Sequence, residues 1–110
     1  MGITRMLYLA YYETAAGRSE AADYVSGLPE RTRAYILADI EAYRTYGAKA
    51  PISWKPIAGS RPMFEIRVGS QRVYCVVHGQ TLWVLQVGPK GHQARDIAKA
   101  VARMKHVIGG

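Results

Sequence analysis

A two-residue turn between two β-type runs constrains the fold of this 110-residue chain more than any other feature. Residues 63–68 and 71–77 are rich in β-branched and aromatic side chains, and only Gly69 and Ser70 separate them. A glycine at the first of two turn positions favours a type II′ turn, which joins antiparallel strands. The middle of the chain is therefore predicted to form a hairpin within an antiparallel sheet.

The turn also predicts which residues face one another across the hairpin. The expected pairs are Val68 with Gln71, Arg67 with Arg72, Ile66 with Val73, Glu65 with Tyr74, and Phe64 with Cys75. Because side chains alternate along a strand, one face is nearly all apolar and suits covering helices: Phe64, Ile66, Val68, Val73, Cys75, Val77, Leu82 and Val84. The opposite face is predicted to carry Glu65, Arg67, Arg72, Tyr74, Trp83, Leu85 and Val87.

The rest of the chain supplies helices around this hairpin. We predict a first strand over 3–12, helices over 19–27 and 29–46, and an irregular, proline-containing connection over 48–62. A further strand is predicted over 82–87, with a break at 88–91 and a last amphipathic helix marked by apolar residues from 97 to 108. The class is α+β in the order β-α-α-β-β-β-α, with a helical hairpin, a C-terminal helix and a single domain over 1–110.

Basic residues are concentrated in the C-terminal half of the chain. The whole chain has a formal charge of +7, and 49% of its residues are apolar, which excludes a disordered protein. Residues 1–48 hold five basic and six acidic residues, whereas residues 49–110 hold ten basic residues against Glu65 and Asp96. This distribution indicates either a partner with a phosphate backbone or acidic surface, or simply a solvated basic surface.

Several classes of protein are not expected. The one cysteine, Cys75, cannot form an internal disulfide and is predicted to be a small buried residue. The longest uncharged runs fall far short of the roughly 20 residues that cross a bilayer, and no signal peptide is evident, so we expect a cytoplasmic protein without a membrane partner. Neither metal-ligand spacing nor a nucleotide-binding fingerprint is present, so we expect no metal and no cofactor.

The predicted pairing of Arg67 with Arg72 marks the candidate site. Like charges directly opposite one another destabilise a sheet unless something compensates, and two alternatives remain open. An anion bound by both guanidinium groups would compensate, or Glu65 would neutralise Arg67 within the protein. Further cations are expected nearby. Lys90 and His92 should arrive beside the arginines, and the candidate contacts to an RNA backbone are Lys55, Arg61, Arg95 and Lys99.

Such a cluster suits cleavage of RNA by transesterification, in which the ribose 2′-hydroxyl attacks the adjacent phosphate. One guanidinium group can donate two parallel hydrogen bonds to the oxygens of a phosphate, and it stabilises the negative charge that develops there. A histidine can take or give the proton that this reaction moves. We therefore assign phosphate binding to Arg67 and Arg72, charge stabilisation to Lys90, and proton transfer to His92. Alternatively, His92 is an ordinary surface residue.

Three segments of the chain resemble the RelE superfamily of type II toxins, and most of all its HigB-like, phage-derived branch. They are LYLAYYETAAGRSEAADYVSGLPERTRAYILADIEAYRTYG, KPIAGSRPMFEIRVGSQRVYCVVHGQTLWVLQVG and DIAKAVARM. The resemblance implies a small α/β fold with a curved antiparallel sheet and ribosome-dependent cleavage of mRNA. It also implies inhibition by a cognate antitoxin, expected to be a helix-turn-helix protein that binds operator DNA. Arg67 and Arg72 match the family's basic positions on the central strands, and Lys90 matches the one after the last strand.

Two other functions remain open. The first is a ParE-like toxin that poisons DNA gyrase and does not cut RNA. The second is a catalytically weak member that only binds an antitoxin.

Overall fold

The middle of the chain folds as the hairpin that its turn predicts. The structure, a computed structural model, describes residues 6–109. Its elements are β1 (Tyr8–Tyr11), α1 (Glu20–Ser26), α2 (Glu30–Tyr46), β2 (Trp54–Pro56), β3 (Phe64–Val68), β4 (Gln71–His78), β5 (Thr81–Pro89) and α3 (Gln93–Gly109), with 3₁₀ turns at Gly47–Lys49 and Lys90–His92. Within this range five strands form one sheet in the order β1-β5-β4-β3-β2. The β1–β5 pair is parallel and the other pairs are antiparallel, which confirms the predicted α+β class. The predicted first strand began at residue 3, and residues 3–5 lie outside the described range.

The register predicted for the hairpin is confirmed at all five pairs, from Val68 opposite Gln71 to Phe64 opposite Cys75. Gly69 has a φ of +59°, a conformation that a side chain disfavours, whereas no non-glycine residue in the described range has a positive φ. A positive φ at the first turn position alone is the pattern of a type II′ turn. The local sequence of the turn therefore determines the pairing of β3 with β4.

One strand was missed, because the connection predicted over 48–62 contains β2. This short strand lies at the edge of the sheet and places Lys55 opposite Glu65 of β3. Three residues that end on a proline show no alternation long enough to predict a strand, and proline suits only an edge. The observed order is therefore β-α-α-β-β-β-β-α.

The strand β5 is longer than predicted, and a β-bulge changes which of its residues face which core. It runs through Gly88 to Pro89, past the predicted end at residue 87. Its pairing with β4 shifts by one residue at Tyr74, which leaves Leu85 as the extra residue. An extra residue inverts the alternation beyond it. Val87 therefore packs in the same core as the predicted apolar face, which corrects its assignment to the opposite face.

Both faces of the sheet are covered by helices, whereas the sequence predicted one apolar face. The first core lies under α1 and α2 and includes Val25, Ile36, Ile40, Tyr43, Phe64, Ile66, Val73, Cys75, Leu82 and Val84. The second core lies under α3 and includes Ile57, Met63, Tyr74, Val76, Leu85, Ala100 and Met104. Cys75 is fully buried as predicted, and burial raises the pKa of its thiol.

The first two helices begin close to the predicted positions. The Ser19 hydroxyl accepts the N–H of Ala22 at 3.1 Å and caps α1. Pro29 lies just before α2 with a φ of −52° and a ψ of 144°, so this helix begins at Glu30, one residue later than predicted. No helix in the described part of the chain is long and apolar enough to cross a bilayer.

The carboxylate of Glu20 joins α1 to α3 through two ion pairs. It lies 2.6 Å from Nη2 of Arg103 and 3.0 Å from Nζ of Lys99. Its hydrogen bonds with Arg103 and Lys99 hold the pKa of Glu20 below its ordinary value of 4.5. Because the folded-state pKa is lowered, the two pairs stabilise the fold above pH 4.5, and this stabilisation is lost as the pH falls through the folded-state pKa.

We expect Glu20→Gln to make the melting temperature less dependent on pH below about pH 5. The side chain of Glu20 is 44% exposed, so solvent screening limits the loss at neutral pH to below about 1 kcal/mol. The measurement is the thermal unfolding of both proteins between about pH 6 and pH 3. Glu30→Gln, in the exposed first turn of α2, controls for the loss of one negative charge. Parallel pH profiles for wild type and Glu20→Gln would contradict the prediction.

Candidate functional site

The site is centred on Arg67 and Arg72, which face one another across β3 and β4 as predicted. We call these two residues the arginine pair. The side chain of Arg67 is 38% exposed, whereas that of Arg72 is 13% exposed. The two guanidinium groups therefore differ in how readily they can reach a ligand.

The carboxylate of Glu65 binds both members of the arginine pair. Its Oε2 atom accepts a hydrogen bond from Nε of Arg67 at 2.7 Å and lies 3.6 Å from Nε of Arg72. The Glu65 side chain is only 4% exposed. Of the two alternatives that the sequence left open, pairing with Glu65 is therefore present in this structure, and the same carboxylate lies near both arginines.

Arg72 is held more firmly than Arg67. Its Nη1 atom donates to the carbonyl oxygens of Gly69 at 2.8 Å and Gln71 at 2.9 Å, both at the hairpin turn. These bonds and its burial fix the direction of the guanidinium group. Arg67 makes one hydrogen bond through its side chain in the described range, through Nε, so both of its Nη atoms remain able to donate to a ligand.

A buried polar layer lies under the start of α3, next to the arginine pair. Nε2 of Gln93 donates to Oε1 of Glu65 at 3.5 Å, at the limit of a hydrogen bond. The hydroxyl of Tyr74 is buried without a hydrogen-bond partner in the described residues. Its burial, with the nearby carboxylates of Glu65 and Asp96, raises the pKa of Tyr74 to about 12, so this phenol stays neutral at physiological pH.

Asp96 anchors the first turn of α3 to the sheet. It is fully buried, and its Oδ1 atom accepts the amide N–H of Gln86 at 2.9 Å. Its other oxygen, Oδ2, lies against the backbone of Gly88, where an added Cβ would collide with it. Gly88 lies opposite Arg72 in the sheet. The absence of a side chain at Gly88 therefore lets α3 approach the sheet beside the arginine pair, on the same face.

Lys90 lies beside the hairpin turn that joins the strands of the arginine pair. Its backbone N–H donates to the carbonyl of Ser70 at 2.8 Å, and its side chain is exposed. His92 follows in the same 3₁₀ turn, but its Nδ1 atom lies 2.9 Å from Nη2 of Arg95 rather than at the arginine pair. The structure therefore places Lys90 next to the turn of the site and directs His92 toward α3.

The four expected RNA contacts lie in different surroundings. Lys55 is exposed opposite Glu65 on the edge strand β2, so it extends the face of the arginine pair. Arg61 is exposed and lines a cleft of about 340 Å³ with the aromatic side chains of Tyr43, Trp54 and Phe64. Arg95 is 62% exposed beside His92, and Lys99 is engaged in its ion pair with Glu20.

Both acidic residues of the basic half are buried, which the charge count could not show. Glu65 and Asp96 are 3% and 0% exposed, respectively, so the carboxylates of residues 49–110 lie beneath a surface whose charged groups are basic. Sequence reasoning missed Gln93 and Asp96 as parts of the site. The only sequence signal was that Asp96 is the one acidic residue of the last helix.

Similarity to known proteins lies in the three-dimensional structure. No family model matches the sequence, and no curated protein matches it. Among solved structures, a chain of the RelB-RelE antitoxin-toxin complex from Methanococcus jannaschii matches with a TM-score of 0.61 and 19% sequence identity, covering 81% of this chain and 96% of that chain. The chain has a RelE-like fold. In this RelE-like fold the arginine pair lies on the two strands of the hairpin, β3 and β4, and Lys90 follows the last strand.

The arrangement is suited to holding a phosphate group. The Nη atoms of Arg67, the exposed side chain of Lys90 and the exposed side chain of Lys55 on the edge strand can all donate to phosphoryl oxygens. No group of three or more His, Cys, Asp or Glu side chains within residues 6–109 is arranged to hold a metal ion. The side chains of the arginine pair, Lys90 and Lys55 can stabilise negative charge, and a histidine such as His92 can transfer a proton.

Proposed function

We propose that this chain is the toxin of a type II toxin-antitoxin system and cleaves mRNA on the ribosome. The main support is the arginine pair on the sheet of a RelE-like fold. The two carboxylates closest to it in sequence, those of Glu65 and Asp96, are buried, so the charged groups exposed around it are basic. The residue pattern around Phe64–Val68 and Arg72 supports placement in the HigB-like, phage-derived branch. We further propose a cytoplasmic location, because the proposed substrate is mRNA that is being translated by ribosomes.

The proposed reaction is a transesterification that needs no metal ion. The 2′-oxygen bonds to phosphorus as its proton passes to solvent water, and the bond from phosphorus to the 5′-oxygen breaks as that oxygen gains a proton from His92. Arg67 and Arg72 grip the phosphate, and Lys90 stabilises the negative charge that builds on it. Lys55 and Arg61 hold the neighbouring phosphates, with Arg95 and Lys99 as further RNA contacts.

His92 is the proposed proton-transfer residue. When Nδ1 accepts from the Arg95 guanidinium, which can only donate, the imidazole proton must be on Nε2. In this neutral state Nε2–H can donate only a hydrogen bond, so proton transfer requires the imidazolium form, in which Nδ1 carries a proton and no longer accepts from Arg95. We assign His92, as the imidazolium, to protonation of the leaving 5′-oxygen, which requires its ring to leave Arg95 and reach the phosphate held by the arginine pair.

The proposed partners follow from the same surface. A basic surface is attracted to ribosomal RNA and to an acidic protein, and both attractions weaken as salt rises. We propose a cognate antitoxin, a helix-turn-helix protein, that binds this chain and carries it to operator DNA. The fold of a chain in the RelB-RelE complex supports an antitoxin partner.

The test is to add purified protein to translating ribosomes and to map the ends of the mRNA. We expect cuts in the ribosomal A site that leave 2′,3′-cyclic phosphates. Intact mRNA together with trapped gyrase–DNA complexes would overturn the nuclease proposal in favour of a ParE-like toxin. Intact mRNA without growth arrest on induction would indicate a protein that only binds its antitoxin.

A further inference from the structure

We propose that Glu65 is a built-in counter-anion that sets the phosphate affinity of the arginine pair and gives up Arg67 when a phosphodiester binds. This inference rests on the proposed function, because the ligand is the phosphodiester of RNA. Glu65 acts through the two arginines and does not contact the reacting atoms, so it is a positioning residue.

The Glu65 carboxylate already occupies the place between the two guanidinium groups where an anion would be shared. Its Oε2 atom lies 2.7 Å and 3.6 Å from the Nε atoms of Arg67 and Arg72, respectively. Nε of Arg72 is buried and has no hydrogen-bond partner among the described residues, so this ion pair is its only compensation there. A phosphate that binds the arginine pair therefore competes with a carboxylate of the protein itself.

Arg67 is the arginine that can move. Arg72 is tied by Nη1 to two carbonyl groups of the hairpin turn, and its side chain is 13% exposed. The Arg67 side chain is 38% exposed and is held by one bond to Glu65. Rotation of Arg67 toward solvent costs one charge-assisted hydrogen bond, whereas moving Arg72 would break bonds to the backbone as well.

Glu65 itself cannot withdraw. It lies inside β3 between the paired residues Lys55 and Tyr74, and it is 3% exposed. Gln93 of α3 approaches its other carboxylate oxygen at 3.5 Å. The carboxylate therefore remains with Arg72 when the ligand arrives, and Arg67 is the guanidinium group that transfers to the phosphate.

The charge of this cluster predicts the effect of removing the carboxylate. Arg67, Arg72 and Glu65 together carry a net charge of about +1, and Glu65→Gln raises it to about +2. The glutamine keeps an oxygen that can accept from Nε of Arg67, so the guanidinium group remains in place. A second uncompensated charge a few ångströms from the ligand strengthens its binding, and we expect phosphate affinity to increase about tenfold.

The experiment measures binding to the full-length protein by titration calorimetry, without ribosomes. The probes are inorganic phosphate and a dinucleotide whose first sugar lacks the 2′-hydroxyl, so that it cannot be cleaved. Glu65→Gln is expected to bind the dinucleotide about tenfold more tightly than wild type. An increase for inorganic phosphate alone would overturn the assignment to a phosphodiester, and unchanged affinity for both probes would overturn the role of Glu65.

Glu41→Gln is the matched control, because Glu41 also pairs with an arginine, Arg44, at 2.8 Å. It changes the net charge equally but lies away from the arginine pair, and we expect its affinity for the dinucleotide to match wild type. An equal gain in both variants would overturn the proposal in favour of a general charge effect. The gain is also expected to vanish in the double variant Glu65→Gln/Arg67→Gln.

Glu65→Asp keeps the test decisive if the glutamine variant does not fold. It retains the buried charge but shortens the side chain by one methylene, so the carboxylate can no longer reach both guanidinium groups. We expect an affinity between those of wild type and Glu65→Gln, and an affinity equal to that of wild type would overturn the proposal. If the affinities change as expected but no variant cleaves mRNA on ribosomes, the inference about Glu65 stands and the nuclease proposal fails.

Discussion

Replacing Arg72 with alanine is expected to lower the rate of mRNA cleavage by about 10²- to 10³-fold and to leave the protein folded. Arg72 is the fixed member of the arginine pair, and its loss removes a preorganised donor to the phosphate. Glu65 would keep its 2.7 Å bond to Arg67, so its buried carboxylate would still be paired. The measurement is the rate at which cut mRNA ends appear on ribosomes, with folding checked by circular dichroism and thermal unfolding.

Arg31→Ala is the matched control for this variant. Arg31 lies on the exposed surface of α2, in the N-terminal half of the chain, and its removal changes the net charge by the same amount. We expect its cleavage rate to remain within about twofold of wild type, because surface changes away from a site have little effect. Cleavage that persists in a folded Arg72→Ala protein would contradict the assignment of the arginine pair to the phosphate.

Replacing Gly88 with alanine is expected to destabilise the protein by about 3 kcal/mol, because overpacking adds to the disturbance of a buried hydrogen bond. The new Cβ would collide with the carboxylate of Asp96, which is fully buried and bound to Gln86 at 2.9 Å. Asp96 would have to move, and the first turn of α3 would move with it. The measurement is the free energy of unfolding from urea titration.

Gly91→Ala provides the comparison for the Gly88 variant. An added Cβ at Gly91 meets no atom within 4 Å, and the residue lies in the 3₁₀ turn only three positions further along the chain. Its unfolding free energy is expected to stay within about 0.5 kcal/mol of wild type. Equal stability of the two alanine variants would show that Asp96 is not held against the sheet as the structure has it.

The contact between Gly88 and Asp96 is also expected to affect the position of residues in the candidate site. Lys90 and His92 lie between the end of β5 and the start of α3. The hydrogen bond of Asp96 to Gln86 fixes the start of α3 and so the backbone position of both residues. Because Gly88 lies opposite Arg72, the same contact brings α3 close to the arginine pair on the same face of the sheet. A loss of cleavage in Gly88→Ala that exceeds its loss of folded protein is the expected sign of this coupling.

The parts of the fold that the sequence predicted correctly depend on short-range rules. The turn at Gly69 determines the register of β3 with β4, because a positive φ at that position allows only one pairing geometry. The facing arrangement of Arg67 and Arg72 follows directly from that register. The Ser19 cap and the approach of Lys90 to the hairpin turn depend likewise on neighbours close in sequence or on the connectivity of adjacent strands.

The errors arose where packing between distant segments decides the outcome. The edge strand β2 forms because β3 offers a partner, and its three residues carry too little pattern to predict it. The β-bulge at Leu85 moved Val87 to the other core, since one extra residue inverts the alternation. Sequence periodicity could identify α3 as amphipathic, but not that it covers the face of the sheet opposite α1 and α2.

The sequence by itself determined that a hairpin places two arginines face to face in a basic half of the chain. Only the tertiary structure decided what those arginines contact, because the reach of a side chain depends on packing that no local rule specifies. Glu65, two residues from Arg67 on the same face of β3, was an open alternative at first. The structure resolves it by placing one buried carboxylate between both guanidinium groups, with Gln93 of α3 beside it.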